Sequence, residues 1–144
     1  MLKFEVVSGG TLPRRATKFS AGFDVYARTG ITIARGETRV VPLGFKLDAS
    51  GLANELKNSV YAELYVRSST GRDGLMLGNG VGVIDIDYPD EVGAILYNRT
   101  DSWITIEAGQ RICQLVIKSH LGGLIVEAQS TDKERLGGFG STDG

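Results

Sequence analysis

Apolar and polar residues alternate with a period of two along most of this chain, which predicts strands rather than helices. The clearest case is Val60–Val66 (VYAELYV). The same alternation runs through Ala21–Ala27 (AGFDVYA), with Phe23, Val25 and Ala27 on one side and Asp24 and Tyr26 on the other. Shorter extended pieces are expected at Lys3–Val7, Ile31–Ile33, Arg39–Pro42, Phe45–Leu47, Val92–Asn98, Trp103–Ile106, Ile112–Lys118 and Leu124–Ala128. Turn-forming or polar stretches separate them, among them Gly9-Gly10, Pro13–Ser20, Arg99–Ser102 and Ala108–Gln110. Only Asp48–Ser59 has a helical look. Asn54 to Lys57 can form a turn or two there, too short to be stable alone, and the stretch reads as a surface insertion. About ten short strands at ~8–12-residue spacing argue for an all-β sandwich or barrel. No repeat or domain boundary interrupts the pattern, so residues 1–128 are expected to form one β-domain and residues 129–144 a polar, Gly-rich, flexible tail.

One stretch departs from simple alternation. Gly78–Tyr88 reads GNGVGVIDIDY, with Gly78, Gly80 and Gly82 at period two. On a single strand all three would lie on one face, and Asp85 and Asp87 follow, two carboxylates sharing a face with each other. Glycines weaken a strand interior, so such a strip suggests close approach to the backbone. A slot of bare backbone ending in a carboxylate and the Tyr88 ring suits a small, flat, polar ligand. The competing reading is a twisted hairpin with Gly at its bulges.

Composition narrows the function classes. The 144 residues include 20 Gly and only 3 Pro, as a turn-rich β protein requires. A formal net charge of -1 gives no general attraction to nucleic acid or to an anionic membrane. The single Cys113 sits in an apolar run and reads as a small core residue. No disulfide framework, no ~7–15-residue apolar leader and no ~18-residue apolar run are present, so a cytoplasmic location is expected (that of a host, if the source is viral). Walker, HExxH, CxxC, GxSxG and Rossmann patterns are absent.

Other candidate chemistry is scattered. Asp24 follows Gly22 and reads as a turn cap or a site carboxylate. Arg67-Ser68-Ser69-Thr70-Gly71 follows a strand as loop chemistry, yet it also gathers a guanidinium and three hydroxyls, which a phosphate chain requires. Gln114 is expected to share a face with Ile112 and Val116, needing a structural or ligand partner if buried. Trp103, Tyr61, Tyr65 and Tyr97 read as core or interface packing, and His120 as solvent-facing. In the tail, Phe139 lies between Gly138 and Gly140, with Arg135 before it and Ser141-Thr142 after it. That arrangement suits a flap whose ring covers a flat group while Arg and backbone N–H groups take an anion.

Taken together, AGFD at 21–24, RSS at 67–69, GNGVGVIDIDY at 78–88, GQRICQLVI at 109–117 and RLGGFGSTDG at 135–144 resemble the five ordered motifs of the trimeric dUTPases. The resemblance spans nearly the whole chain. It implies an all-β, jelly-roll-like β-clip subunit and a homotrimer with active sites shared between subunits. It further implies Mg2+-dependent hydrolysis of dUTP to dUMP and pyrophosphate, which limits uracil in DNA and supplies dUMP for thymidylate synthesis. By the same resemblance Asn79 and the hairpin backbone hold uracil, with Val83, Ile84 and Gly93 lining the slot. Tyr88 packs on deoxyribose, while Asp85 binds the 3′-hydroxyl and orients the attacking water. A carboxylate is a poor base at neutral pH, so Asp85 is expected mainly to align that water. Arg67, Ser68 and Ser69 would bind phosphates, and Gln114 would touch the α-phosphate region. Phe139 would cover uracil, with Arg135, Gly140, Ser141 and Thr142 on the γ-phosphate. Mg2+ would ride mostly on phosphate oxygens and water, with Asp24 in its outer shell.

The chain departs from the family pattern in places. Ser69 stands where Gly is usual, Gln110 replaces a commonly acidic residue, Arg135 to Phe139 is one residue shorter, and Asp143 interrupts the Ser-Thr-Gly ending. Two alternatives follow: a dCTP deaminase-like enzyme of the same superfamily, and a dUTPase scaffold whose main work is to bind a regulatory protein partner. The first needs a glutamate in Val92–Asn98, where Ile95 stands. The second would use the Leu52–Ser59 stretch as extra surface.

Overall fold

The computed structural model describes residues 1–129. Its first strands are β1 (Lys3–Val6), β2 (Phe23–Tyr26), β3 (Ile31–Ile33), β4 (Thr38–Pro42) and β5 (Phe45–Asp48). A single helical turn, α1 (Asn54–Lys57), precedes β6 (Val60–Val66), and a second short helix, α2 (Ser68–Arg72), follows it. Then come β7 (Leu75–Leu77), β8 (Gly82–Ile84), β9 (Gly93–Asn98), β10 (Ile104–Ile106) and β11 (Arg111–Ser119), with a 3-10 turn at Gly122–Leu124. Among the described residues no helix is long and apolar enough to cross a membrane.

A four-stranded sheet runs β2-β11-β6-β8 and a three-stranded sheet runs β4-β9-β7, with β1-β5 and β3-β10 as further pairs. Every strand pairing is antiparallel. The inward faces of the two larger sheets meet in one core: Val25, Leu64, Cys113 and Leu115 from one, Val41, Ala94 and Leu96 from the other, with Phe45 and Leu43 between them. Cys113 is wholly buried, and burial pushes its thiol up to about 12. Asn98 is the one fully buried polar side chain among the described residues. Its Nδ2 donates to the carbonyls of Ile33 and Ser102, and its Oδ1 accepts from the Thr100 N–H and hydroxyl.

Several expectations from the sequence change in the fold. Ser68–Arg72 is helical rather than loop: Gly71 N–H bonds the Arg67 carbonyl at 2.9 Å, and the Arg99 guanidinium satisfies the Gly71 carbonyl at 3.0 Å near the helix end. Leu124–Ala128 forms no strand within this chain, and Leu124, Ile125 and Val126 stand about four-fifths exposed. Of the two readings of Trp103, core or interface, the core one falls, since the ring is 70% exposed in the single chain. Gln114 does not share a face with Ile112. A bulge shifts the β11–β2 register between Arg111 and Cys113, so Ile112 and Cys113 are both buried and the alternation restarts.

Candidate active site

The Gly78–Tyr88 stretch is two bends flanking a short strand, rather than one strand with a bare face. Gly78–Val81 carries the chain from β7 in one sheet to β8 in the other. The Val81 N–H bonds the Asn79 carbonyl at 2.8 Å across Gly80, whose φ is +73°; this is a γ-turn of the rare positive-φ kind. Gly82 then pairs with Leu64, so close that a Cβ on it would lie 2.9 Å from the Leu64 Cβ. Past β8 a second turn closes, with the Tyr88 N–H on the Asp85 carbonyl at 3.1 Å. Asp85 and Tyr88 therefore flank one turn, and Asp87 does not continue a strand face shared with Asp85.

These bends enclose a cavity of about 190 Å3. Asn79, Val83, Ile84, Asp85, Tyr88 and Gly93 all line it, with Gly82 at its wall and Ile95 as an apolar neighbour. Val83, Asp85 and Tyr88 also border a second, wider cleft of about 920 Å3 that reaches Lys46, Tyr61 and His120. The same residues thus face a small slot on one side and a wide, open cleft on the other.

Glu91 holds this loop in place. Its carboxylate accepts Arg28 Nε at 2.6 Å, Arg28 Nη2 at 3.0 Å and the Gly44 N–H at 2.8 Å. The Arg28 hydrogen bond holds the Glu91 carboxyl below the ordinary carboxylate range despite partial burial. Two backbone bonds beside it, Leu43 N–H to Val92 O and Val92 N–H to Phe45 O, tie the same segment to β5 and its approach. A paired charge in this loop had no signal in the sequence, because Arg28 and Glu91 are separated by 63 residues.

A second cluster lies on the outer face of the four-stranded sheet. Directly paired residues share a face, and Asp24, Gln114 and Tyr65 pair in one row across β2, β11 and β6. Arg67 Nε sits 3.1 Å from Asp24 Oδ1, and Arg111 Nη1 lies 3.4 Å from Asp24 Oδ2. The bulge makes this cluster: residues three apart on a regular strand point to opposite faces, whereas here Arg111 and Gln114 both face outward. Arg111 is the residue that reading the sequence missed, since only the adjacent apolar pair Ile112-Cys113 hints at a bulge. Ser68 and Ser69 start α2 beside Arg67. None of Asp24, Arg67, Ser68, Ser69 or Gln114 lines either cavity at Asp85. Arg135, Phe139, Gly140, Ser141 and Thr142 lie outside the described residues.

A metal held by the protein does not fit these side chains. Among the described residues no three His, Cys, Asp or Glu side chains gather as a ligand set. Both Asp24 oxygens are already engaged by guanidinium groups, so a hydrated cation there would have to displace or sit beside two positive charges.

Fold and geometry define a class, an all-β protein with a small slot beside Asp85 and Tyr88 and a separate cationic row on one sheet face. The dUTPase family model matches residues 9–143 of the chain. The deoxyuridine 5'-triphosphate nucleotidohydrolase of Lactococcus lactis is 41% identical, covering 96% of this chain and 95% of its own length. That of Janthinobacterium sp. is 40% identical over 91% of this chain and 87% of its own. The crystal structure of the Streptococcus mutans dUTPase superposes with a TM-score of 0.72 at 32% identity, over 87% of this chain and 98% of that one. The dUTPase of Staphylococcus bacteriophage 80alpha shares the fold at a TM-score of 0.78 and 19% identity, over 98% and 97% of the two chains. The chain belongs to the dUTPase family.

Proposed function

We propose that this protein hydrolyses dUTP to dUMP and pyrophosphate, with uracil in the 190 Å3 slot and the triphosphate on the Asp24–Arg67–Gln114 row. The observation that carries the reading is the convergence of Asn79, Asp85 and Tyr88 on one cavity whose wall at Gly82 is bare backbone. The slot is smaller than the ~300–1,000 Å3 typical of drug-sized ligands, so it suits a base rather than a whole nucleotide. Asn79 and the backbone of the γ-turn supply amide donors and acceptors for the uracil edge. A rigid wall matters here, because a merely apolar pocket separates ligands differing by one methyl by only about 10–200-fold. Tyr88 flanks the sugar and leaves no room for a 2′-hydroxyl.

The substrate is dUTP as its Mg2+ complex, the metal neutralising charge on the phosphates as it arrives with them. Asp85 binds the 3′-hydroxyl and aligns a water whose oxygen forms the new bond to the α-phosphorus. The bond from that phosphorus to the α–β bridging oxygen breaks, and its electron pair leaves with pyrophosphate. The water proton passes to the Asp85 side of the site, and Arg67, Ser68, Ser69 and Gln114 hold the phosphates. The tail would then close, with Phe139 on the base.

Among the described residues the slot and the cationic row do not line the same cavity, yet a nucleotide joins base, sugar and phosphates covalently. A homotrimer that sets the slot of one subunit against the row of another resolves this. Exposed apolar side chains, Val83 at 65%, Trp103 at 70% and Ile125 at 79%, supply surface for such contacts. A deaminase would need a carboxylate where Ile95 lines the slot.

Pyrophosphate release from dUTP, beside dTTP, dCTP and UTP, tests the reading. Fast release from dUTP alone is expected, with Asp85→Asn lower by about 10²–10⁴-fold. Turnover of none of them, or ammonia release from dCTP, would overturn it.

A further inference from the structure

Arg14 extends the cationic row by one more strand position. It forms an antiparallel bridge with Asp24, the two residues exchanging both backbone bonds: Arg14 N–H to Asp24 O at 3.1 Å and Asp24 N–H to Arg14 O at 2.7 Å. Directly bridged residues present their side chains on one face. The outer face of the sheet therefore carries a continuous row, Arg14–Asp24–Gln114–Tyr65.

The other cations nearby are already occupied. Arg67 and Arg111 are both on Asp24. In the same loop, Arg15 donates Nε and Nη2 to the Ser20 carbonyl at 2.9 and 2.7 Å, which braces the loop on itself. Lys18 lies over the Phe19 ring, 5.5 Å from its centroid. Among the described residues the Arg14 side chain makes no ion pair or hydrogen bond, and it is exposed. Two guanidiniums on one carboxylate leave a surplus of one positive charge, which is little for a triphosphate. Arg14 raises the surplus at the far end of the row from Tyr65.

We propose that Arg14 is an anion-binding residue for the terminal phosphates of the substrate, and so for the leaving pyrophosphate. The inference rests on the dUTPase reading, in which Gln114 lies at the α-phosphate. Two strand spacings of ~4.8 Å separate Gln114 from Arg14 across Asp24. That places the Arg14 backbone about 10 Å along the row, and its long side chain reaches back over the distal phosphates. A guanidinium there suits phosphate oxygens by its forked donors.

The test compares wild type, Arg14→Ala, Arg14→Lys and, as a control for overall charge, Arg35→Ala, whose side chain is exposed and lies in the loop after β3. Hydrolysis of dUTP is measured, and binding of Mg2+-pyrophosphate and of dUMP is followed by calorimetry. Arg14→Ala is expected to raise KM for dUTP and weaken pyrophosphate binding by about tenfold, with kcat within about twofold and dUMP binding unchanged. Arg14→Lys should recover part of the loss, and Arg35→Ala should show none. Unchanged pyrophosphate affinity in Arg14→Ala, equal weakening of dUMP, or an equal effect of Arg35→Ala overturns the inference while the dUTPase reading stands. A wild type that neither hydrolyses dUTP nor binds pyrophosphate overturns both.

Discussion

Gly78, Gly80 and Gly82 occupy their positions for different reasons. Gly80 takes a φ of +73°, which a γ-turn of this hand needs and which other residues adopt only with strain. Gly78 has Ile95 Cγ2 where its Cβ would stand 3.2 Å away, and Gly82 abuts Leu64. The period of two was legible and did mark close approach, but what approaches Gly82 is the protein's own β6. Gly82→Ala is accordingly expected to destabilise the fold by about 1–3 kcal/mol, because neither the Leu64 Cβ nor the paired backbone can retreat cheaply. Denaturant unfolding at neutral pH checks this. A wild-type midpoint in the alanine variant would mean that β6 and β8 have slack the geometry does not show.

Most elements were legible because the strands are amphipathic and bounded by Gly or polar turns; Val60–Val66 lies where alternation put it. What alternation cannot carry is an interruption of itself. The bulge at Ile112 turns Gln114 away from the core and brings Arg111 alongside it. The five residues of α2 are likewise too few for a helical period to show. The Arg28–Glu91–Gly44 clamp is a further contact between elements with no local pattern. It anchors the loop that presents Asp85 and Tyr88, so its loss should be felt as stability. Glu91→Gln is expected to cost about 2 kcal/mol at pH 7, as the ion pair with Arg28 is lost and an amide N–H replaces one of the two acceptor oxygens facing the guanidinium. The pH dependence has a definite sign. The folded carboxyl titrates below the ordinary value of 4.5. Its contribution is therefore fully present above that value and is lost as pH falls through the lower, folded one. Wild type and Glu91→Gln should converge in stability as pH drops from about 5 toward 3, and a gap that stays constant across that range would show that the charge of Glu91 contributes nothing.

At the scale of the whole molecule, the described residues present a slot and a separate cationic row, and their last segment pairs with no other described strand. Leu121, Leu124, Ile125 and Val126 are exposed apolar residues in a row, which a free monomer would leave against water. The motif order along the chain was legible without saying that, among the described residues, the slot and the Asp24 row line different surfaces, because spatial separation leaves no trace in linear order. The proposed trimer makes a sharp prediction from this separation. Asp85→Asn disables the slot and Arg67→Ala disables the row, so each variant alone should be nearly inactive. Co-expressed in equal amounts, they should form mixed trimers. A site built between two subunits is then intact when the slot comes from the Arg67→Ala chain and the row from the Asp85→Asn chain. Random assortment makes about one site in four of this kind, so the mixture should recover about a quarter of wild-type dUTP hydrolysis. If slot and row served the same site within one chain, every site would carry one lesion or the other and mixing would recover nothing. Recovery near a quarter, in particles whose sedimentation gives three chains, would place the active site between copies; inactivity of mixed trimers that have formed would place it within one.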